Sequence, residues 1–519
     1  MSTVVPVDPE ALLDGLNAEQ RLAVTSTTSP LCILAGAGSG KTRVLTRRIA
    51  YRAATDDLDP RHVLALTFTR KAAGELTTRL RALGLREHVA AGTFHSVAYA
   101  QLRSRWAERG ITPPQLMTRK ARFVSGLLTG TERSTPALDF VAEIEWAKVN
   151  MMSPEAYRSH PLPRPLDCTE VSQVYQAYLD DMERQGAMDF EDVLLLATAM
   201  LSNYSDVAAE VHRQYRHFTV DEFQDVNPVQ FELLRAWLGG REDICVVGDP
   251  AQTIYSFSGA TSEYLLDFDR HFPSARHFAL THTYRSSPQV VELANAVMAA
   301  APRGQAVRLD TTAGDGPEVL RMQHDTDADE AKAIADWIAG LLRQGLPARE
   351  IAVLFRMNSQ SEPIESALQD ARIPYTVRGG QRFFERPEVR QALALLRAAG
   401  AGDIAKPLPE IVGDIVRGAG WSPQPTSQAP AQRGVWESLQ TVVDLAAQHA
   451  QSADTNVATF VAALNARAAI ADEPTADAVT LASIHSAKGL EWDAVAIAGC
   501  SEGLLPISHA VTPDTVAEE

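Results

Sequence analysis

Short apolar runs that end in polar or glycine-rich rims recur along the chain, and each is followed by a stretch with apolar residues at helical spacing. The first run, Leu31-Cys32-Ile33-Leu34-Ala35, leads through a glycine-rich turn into the helical pattern Arg43 to Ala50. His62 to Thr69 predicts a buried strand ending in a polar rim, with Arg70 to Leu76 opening the next helix, and Val89 to Ser96 repeats the design. The sheet resumes with His217 to Glu222 and Asp243 to Asp249. Upstream, Asn17 followed three positions later by Gln20 predicts a capped helix start. Strands alternating with helices imply an α/β fold with a doubly wound parallel sheet and a ligand site at the strands' C-terminal edge.

A second set of runs begins near Arg276 to Leu280 and continues with Glu350 to Arg356, Ala478 to Ile484 and Ala494 to Ala498, so two α/β lobes are expected. Two mainly helical insertions interrupt them. One is punctuated by Pro113-Pro114 and Pro161-Leu162-Pro163; the other is Ala-rich and broken by a flexible segment from Ser422 to Pro430. The expected division is 1–100 with 189–280 for the first lobe and 101–188 for its insertion. The second lobe takes 281–389 with 477–519, around an insertion at 390–476.

Composition narrows the class. A chain of 519 residues, 45% hydrophobic and 22% charged, has the make-up of a globular enzyme with sizeable cores. No apolar run is long enough to span a bilayer, and the N-terminus MSTVVPVDPE lacks a signal peptide's basic and apolar regions. Cys32, Cys168, Cys245 and Cys500 are scattered without a C-x-x-C pair, which predicts no metal knuckle, no disulfide framework and a reducing cytosol. The net charge of −17 predicts weak, salt-sensitive binding to any nucleic acid through a local groove rather than a basic coat.

The chemistry begins at Ala35-Gly36-Ala37-Gly38-Ser39-Gly40-Lys41-Thr42. Strand, small-residue loop and helix in that order form a phosphate cradle, because backbone N–H groups and a helix N-terminus point at the anion. Lys41 is then expected on the β- and γ-phosphates of a nucleoside triphosphate and the Thr42 hydroxyl on Mg²⁺. Ala35 stands where the pattern usually starts with glycine, a mild change because Gly38 and Gly40 keep the crowded positions. At the end of an apolar strand, Asp221 is placed to hold Mg²⁺ through water and Glu222 to deprotonate the attacking water. Gln252, following another strand, is a candidate γ-phosphate sensor.

The order of these stretches resembles the UvrD/Rep/PcrA family of superfamily 1 DNA helicases, and within it the shorter UvrD-like paralogues of actinobacteria. The matching segments run from Leu16 to about residue 507. They include Leu16 to Gln20, Ala35 to Thr42, Thr67 to Leu76, Gly92 to Ser96, Val220 to Asn227, Val246 to Ala260, Thr283 to Ser286, Phe355 to Ser361, Gly379 to Arg386 and His485 to Asp493. The resemblance implies two RecA-like motor lobes sharing one ATP. It places Gln20 on the adenine edge, Tyr284 stacked on the base with Arg43 beside it, Arg285 as arginine finger and Glu491 on the ribose. It also places Phe68, Thr93, His95, Tyr255 and Phe257 on the strand-binding track and Arg356, Asn358 and His485 on the nucleic-acid backbone.

The implied function is an ATP-dependent 3′-to-5′ helicase that couples hydrolysis to movement along single-stranded DNA, acts at ss/ds DNA junctions and serves DNA repair in the bacterial cytoplasm, near the nucleoid. Two alternatives stay open: a translocase that strips proteins with little unwinding, and a DNA-binding protein with a crippled motor. Three departures bear on this choice. Phe257-Ser258 replaces the family's Trp and Arg, and the 390–476 insertion is short. The chain also stops at Glu518-Glu519, where the family continues into its last motif, so poor hydrolysis and unwinding are expected of it without that segment.

Overall fold

The runs Leu31–Ala35, Val63–Thr67 and Ile244–Gly248 are largely apolar and buried because both of their faces are covered, as in the interior of a parallel sheet. In a computed structural model, the described residues are 8–85, 88–128, 137–161, 164, 166–301, 307–357, 360–378, 386–399, 406–424, 430–450, 456–470, 477–507, 510 and 513–519. They divide after Val319 into two compact units, and the stretch 281–319 falls in the first.

In chain order the first unit carries β1 (Leu31–Ala35), β2 (Val63–Thr67), β3 (Ala90–Thr93), β4 (Gln115–Leu116), β5 (Ala187–Met188), β6 (His217–Val220), β7 (Ile244–Gly248), β8 (Arg276–Leu280), β9 (His282–Thr283) and β10 (Asp310–Thr311). Six of them form one all-parallel sheet in the order β3-β2-β6-β7-β1-β8. Alternation along each strand sends side chains to opposite faces. Leu64 and Leu66 join Phe94, Phe218 and Trp237 on one side, while Val63 and Ala65 join Ile49 and Leu76 on the other.

Two expectations change here. Arg276–Leu280 belongs to the first sheet rather than opening a second set: it lies in register beside β1, with Leu280 buried against Ile33 and Val44. The run from Val89 stops as a strand at Thr93, whose hydroxyl accepts from Ser96 N–H and starts a helix, so His95 and Ser96 occupy a first helical turn. The helices that matter for the site are α1 (Ala18–Thr25), α2 (Lys41–Ala54), α3 (Arg70–Ala82) and α4 (Phe94–Glu108).

The first helical insertion has its own core, built from Phe140, Ile144, Tyr157, Val171 and Tyr178. A buried ion cluster ties it to the helix Phe190–Asn203. Lys148 Nζ, 1% exposed, meets Asp189 Oδ2 at 2.8 Å and Asp192 Oδ1 at 2.6 Å, and Tyr178 donates to the same Asp189 oxygen.

The second unit holds β11 (Ile351–Phe355), β12 (Tyr375–Arg378), β13 (Val479–Ser483) and β14 (Ala494–Ile497), parallel in the order β12-β13-β11-β14. Its core gathers Ile338, Val353, Phe355, Leu368, Val479 and Leu481. A separate apolar cluster joins the helices Pro387–Ala398, Leu408–Val416, Pro430–His449 and Val457–Ile470 through Leu396, Val412, Leu439 and Phe460, which matches the Ala-rich helical pattern of that region. Most of the expected flexible segment, at 425–429, lies outside the described residues.

Candidate nucleotide and nucleic-acid site

Most of the candidate residues of the first unit follow the C-terminal ends of strands in its six-stranded sheet. β1 ends in the loop Gly36 to Gly40, which enters α2 at Lys41. Gly38 and Gly40 adopt φ of 72° and 86°, a left-handed geometry that costs glycine little and other residues more. A Cβ on Gly38 would also lie 2.5 Å from Thr283 Oγ1 and 2.7 Å from Arg285 Cβ. Ser39 is buried and bonds back to Gly36 O at 2.7 Å, which closes the turn, while Ala35 is buried in the sheet and Ala37 exposed.

Lys41 Nζ is buried and makes no hydrogen bond among the described residues; the nearest carboxylate oxygen is Glu222 Oε2 at 3.6 Å. An unsatisfied buried ammonium is costly, so this one is suited to an anion delivered by a ligand. Thr42 follows in the first turn of α2.

β6 ends directly at Asp221 and Glu222. Glu222 sits at φ 53°, ψ 43°, a left-handed conformation that costs a non-glycine residue roughly 1–2 kcal/mol and concentrates at functional sites. Burial and the neighbouring Glu222 push the Asp221 carboxyl up to about 7, against the pull of Lys41. A bound dication would restore its charge, so Asp221 and Thr42 fit the metal role and the loop with Lys41 fits a triphosphate.

β7 ends in Asp249, raised by its burial against the pull of Lys41. Its Oδ2 accepts from Gln252 Nε2 at 2.7 Å. Tyr255 follows on the same turn, its phenol pushed up by burial and then by the charges of Asp225 and Glu222.

Gln20 is 1% exposed, and both ends of its amide are engaged: Oε1 accepts from Asn17 N–H at 3.2 Å and Nε2 donates to Ser39 O at 2.8 Å. Its observed bonds brace the phosphate loop. Tyr284, half exposed, donates its backbone N–H to Gly38 O at 3.1 Å, and its hydroxyl accepts from Asn17 Nδ2 at 2.7 Å. Arg43 reaches Asp14 O at 3.5 Å. The Tyr284-Arg285 pair therefore lies against the loop within the first unit.

The strand-binding candidates stand along the same edge. Phe68 follows β2 and packs on Phe94 at 6.3 Å between ring centroids. Thr93 caps α4, and the His95 ring meets Phe190 edge-on at 6.1 Å. Burial, then the Lys120 charge, pushes the His95 imidazole down to about 4, so it is neutral near pH 7. Phe257 lies in the turn Ser256–Ser258, but its side chain is outside the described residues.

In the second unit, Arg356 and His485 follow the adjacent strands β11 and β13, where Phe355 pairs with Ser483. Arg356 is held by Glu519 through Nε at 2.7 Å and Nη2 at 2.6 Å. Burial, then Arg356, pushes His485 down. Glu491 is exposed, and Asn358 lies outside the described residues, as does most of Gly379 to Arg386.

Residues 16–273 match the UvrD/REP helicase N-terminal domain, and residues 278–424 and 419–519 match the UvrD-like helicase C-terminal domain. The chain belongs to the UvrD/Rep helicase family. It is 41% identical to the ATP-dependent DNA helicase UvrD2 of Mycobacterium tuberculosis, over 97% of this chain and 75% of that protein. It is 35% identical to UvrD1 of the same organism, over 80% of this chain and 56% of the relative. To PcrA of Leuconostoc citreum it is 33% identical, over 79% and 56% respectively.

Within this UvrD/Rep-type site, sequence reasoning missed two residues. Gln224, fully buried, donates to Glu222 Oε2 at 2.7 Å and accepts from Asp249 N–H at 3.0 Å. Asn17 reaches the Tyr284 hydroxyl as well as capping α1. The bond from Gln224 to Asp249 and the bond from Asn17 to Tyr284 join positions far apart along the chain, which no local spacing reveals.

Proposed function

We propose that the chain is an ATP-dependent DNA helicase that moves 3′ to 5′ along single-stranded DNA, acts at ss/ds junctions and serves DNA repair. The observation that carries this reading is the buried Lys41 ammonium, which has no hydrogen bond among the described residues and faces Glu222 at the mouth of the loop. Family membership supports it, because the matched relatives are named ATP-dependent DNA helicases.

ATP would supply the phosphoryl group and Mg²⁺ the neutralisation of charge on it. Lys41 and the loop N–H groups bind and orient the phosphates, and Thr42 with Asp221 holds the cation. Glu222 accepts a proton from water at its carboxylate. Arg285, beside Gly38, adds positive charge where the γ-phosphate reacts, and Gln252 senses that group. Tyr255, just past Gln252 in the chain, would offer a base its ring as a stacking platform. Phe68, Thr93 and His95 continue the strand track along the same edge. The family resemblance assigns backbone phosphates to Arg356, Asn358 and His485 and the ribose to Glu491. No described helix is long and apolar enough to cross a membrane.

The test is ATPase activity with and without oligo(dT), beside strand displacement on 3′- and 5′-tailed duplexes. DNA-stimulated turnover that is lost in Lys41→Ala, with displacement only from the 3′ tail, is expected. Equal turnover in Lys41→Ala would refute the motor, a 5′ preference would refute the polarity, and movement without displacement would leave a protein-stripping translocase.

A further inference from the structure

Gln224 lies in the short turn Phe223–Asp225, just past the catalytic carboxylates, and is 0% exposed. Its amide nitrogen donates to Glu222 Oε2 at 2.7 Å, and its amide oxygen accepts from Asp249 N–H at 3.0 Å. The two partners fix the amide orientation, because a carboxylate accepts and a backbone N–H donates. The room for this side chain is built in: a Cβ on Gly248 would fall 2.7 Å from Gln224 Oε1. From Asp249 the chain of bonds continues to Gln252 Nε2 at 2.7 Å.

We propose that Gln224 is a positioning residue for ATP hydrolysis, holding the Glu222 carboxylate in place and fastening it to the turn that carries Gln252. This rests on the reading of Glu222 as the general base. Glu222 is on a left-handed backbone, with Lys41 3.6 Å from the same oxygen that Gln224 grips. Without the amide donor, the carboxylate is drawn toward the ammonium and away from a reacting water. A misplacement of about 1 Å is enough to cost about a hundredfold in rate. Only a neutral side chain with donor and acceptor on one planar end serves both neighbours; glutamate at this position would keep the bond to Asp249 but share a proton with Glu222, which lowers that carboxylate's power to take one from water.

The experiment compares wild type, Gln224→Glu, Gln224→Met and Glu222→Gln in the full chain at saturating oligo(dT). It reads kcat and KM for ATP together with Kd for N-methylanthraniloyl-ADP. Gln224→Glu conserves volume and one bond, so it reports on the donor even if Gln224→Met does not fold. Both Gln224 variants are expected to lose about ten- to a hundredfold in kcat, with nucleotide Kd and ATP KM within about threefold of wild type. Wild-type kcat in Gln224→Glu, alongside a dead Glu222→Gln, would overturn the positioning role and leave the general base standing. A loss of kcat matched by an equal weakening of nucleotide binding would make Gln224 merely structural. Full turnover in Glu222→Gln would remove the general base, and this proposal with it.

Discussion

Lys41 Nζ and Glu222 Oε2 face each other 3.6 Å apart, the first at the start of α2 and the second just beyond β6, and the ammonium forms no hydrogen bond among the described residues. Nucleotide binding should therefore be the event that satisfies Lys41. With ligand at a hundred times its Kd, mass action adds about 2.7 kcal/mol of stability. We expect Mg-ATP to raise the unfolding temperature of wild type and to leave Lys41→Met unmoved. A full shift in the variant, measured by scanning fluorimetry, would show that the nucleotide is held elsewhere.

The backbone of Glu222 gives an opposite pair of effects. At φ 53° a glycine is unstrained, so Glu222→Gly should stabilise the chain by about 1 kcal/mol while abolishing turnover. Urea unfolding followed by circular dichroism, beside an ATPase assay, checks both. Loss of stability in the variant would mean that the carboxylate's contacts outweigh the strain.

His95 predicts a pH dependence. Its pKa is about 4 when folded against 6.5 in the unfolded chain, so between those values the unfolded state binds more protons. Stability must then fall as pH drops through that window and be fully present above it. In His95→Gln, the decline in melting temperature between pH 7 and pH 5 should be shallower than in wild type. Parallel declines would sink this assignment.

The pair Lys148 and Asp189 is almost wholly buried, at 1% and 0% side-chain exposure. Removing Lys148 takes away the cation closest to Asp189 and leaves that buried carboxylate with the Tyr178 hydroxyl and with Lys120 Nζ at 3.8 Å, and breaking such a buried pair costs about 3–5 kcal/mol. Lys148→Met should show that loss in denaturant melts, and Lys148→Met with Asp189→Leu should recover part of it. A single variant as stable as wild type would show that Tyr178 and Lys120 are enough for Asp189.

Gln20 offers a milder case. Gln20→Ala removes bonds to Asn17 N–H and Ser39 O, so a loss of about 1–2 kcal/mol and weaker nucleotide affinity are expected. Isothermal titration with ADP decides; unchanged affinity would show that the loop holds its shape unaided.

Much of the first unit was legible because its signals are local. Apolar runs at Leu31, Val63, His217 and Ile244 read as buried strands, and Gly38 and Gly40 stand where positive φ is needed. Sheet membership was not local: Arg276–Leu280 has a strand's pattern, but only its pairing with β1 says which sheet it joins. Tyr375–Arg378 escaped notice because it is only half-buried and its four residues mix polar with apolar. The bond between Gln224 and Asp249 depends on β6 and β7 lying side by side, and the Lys148–Asp189 pair spans 41 positions. A family pattern points to Gln20 and Tyr284, but it does not say that Gln20 spends its amide on the phosphate loop.

The tether between Tyr284 and Gly38 is made by main-chain atoms, N–H to carbonyl. Any residue except proline can keep that mooring, whatever its side chain. Replacements at 284 thus separate any contribution of the aromatic face from what anchorage gives the loop, and proline alone would report on the anchorage.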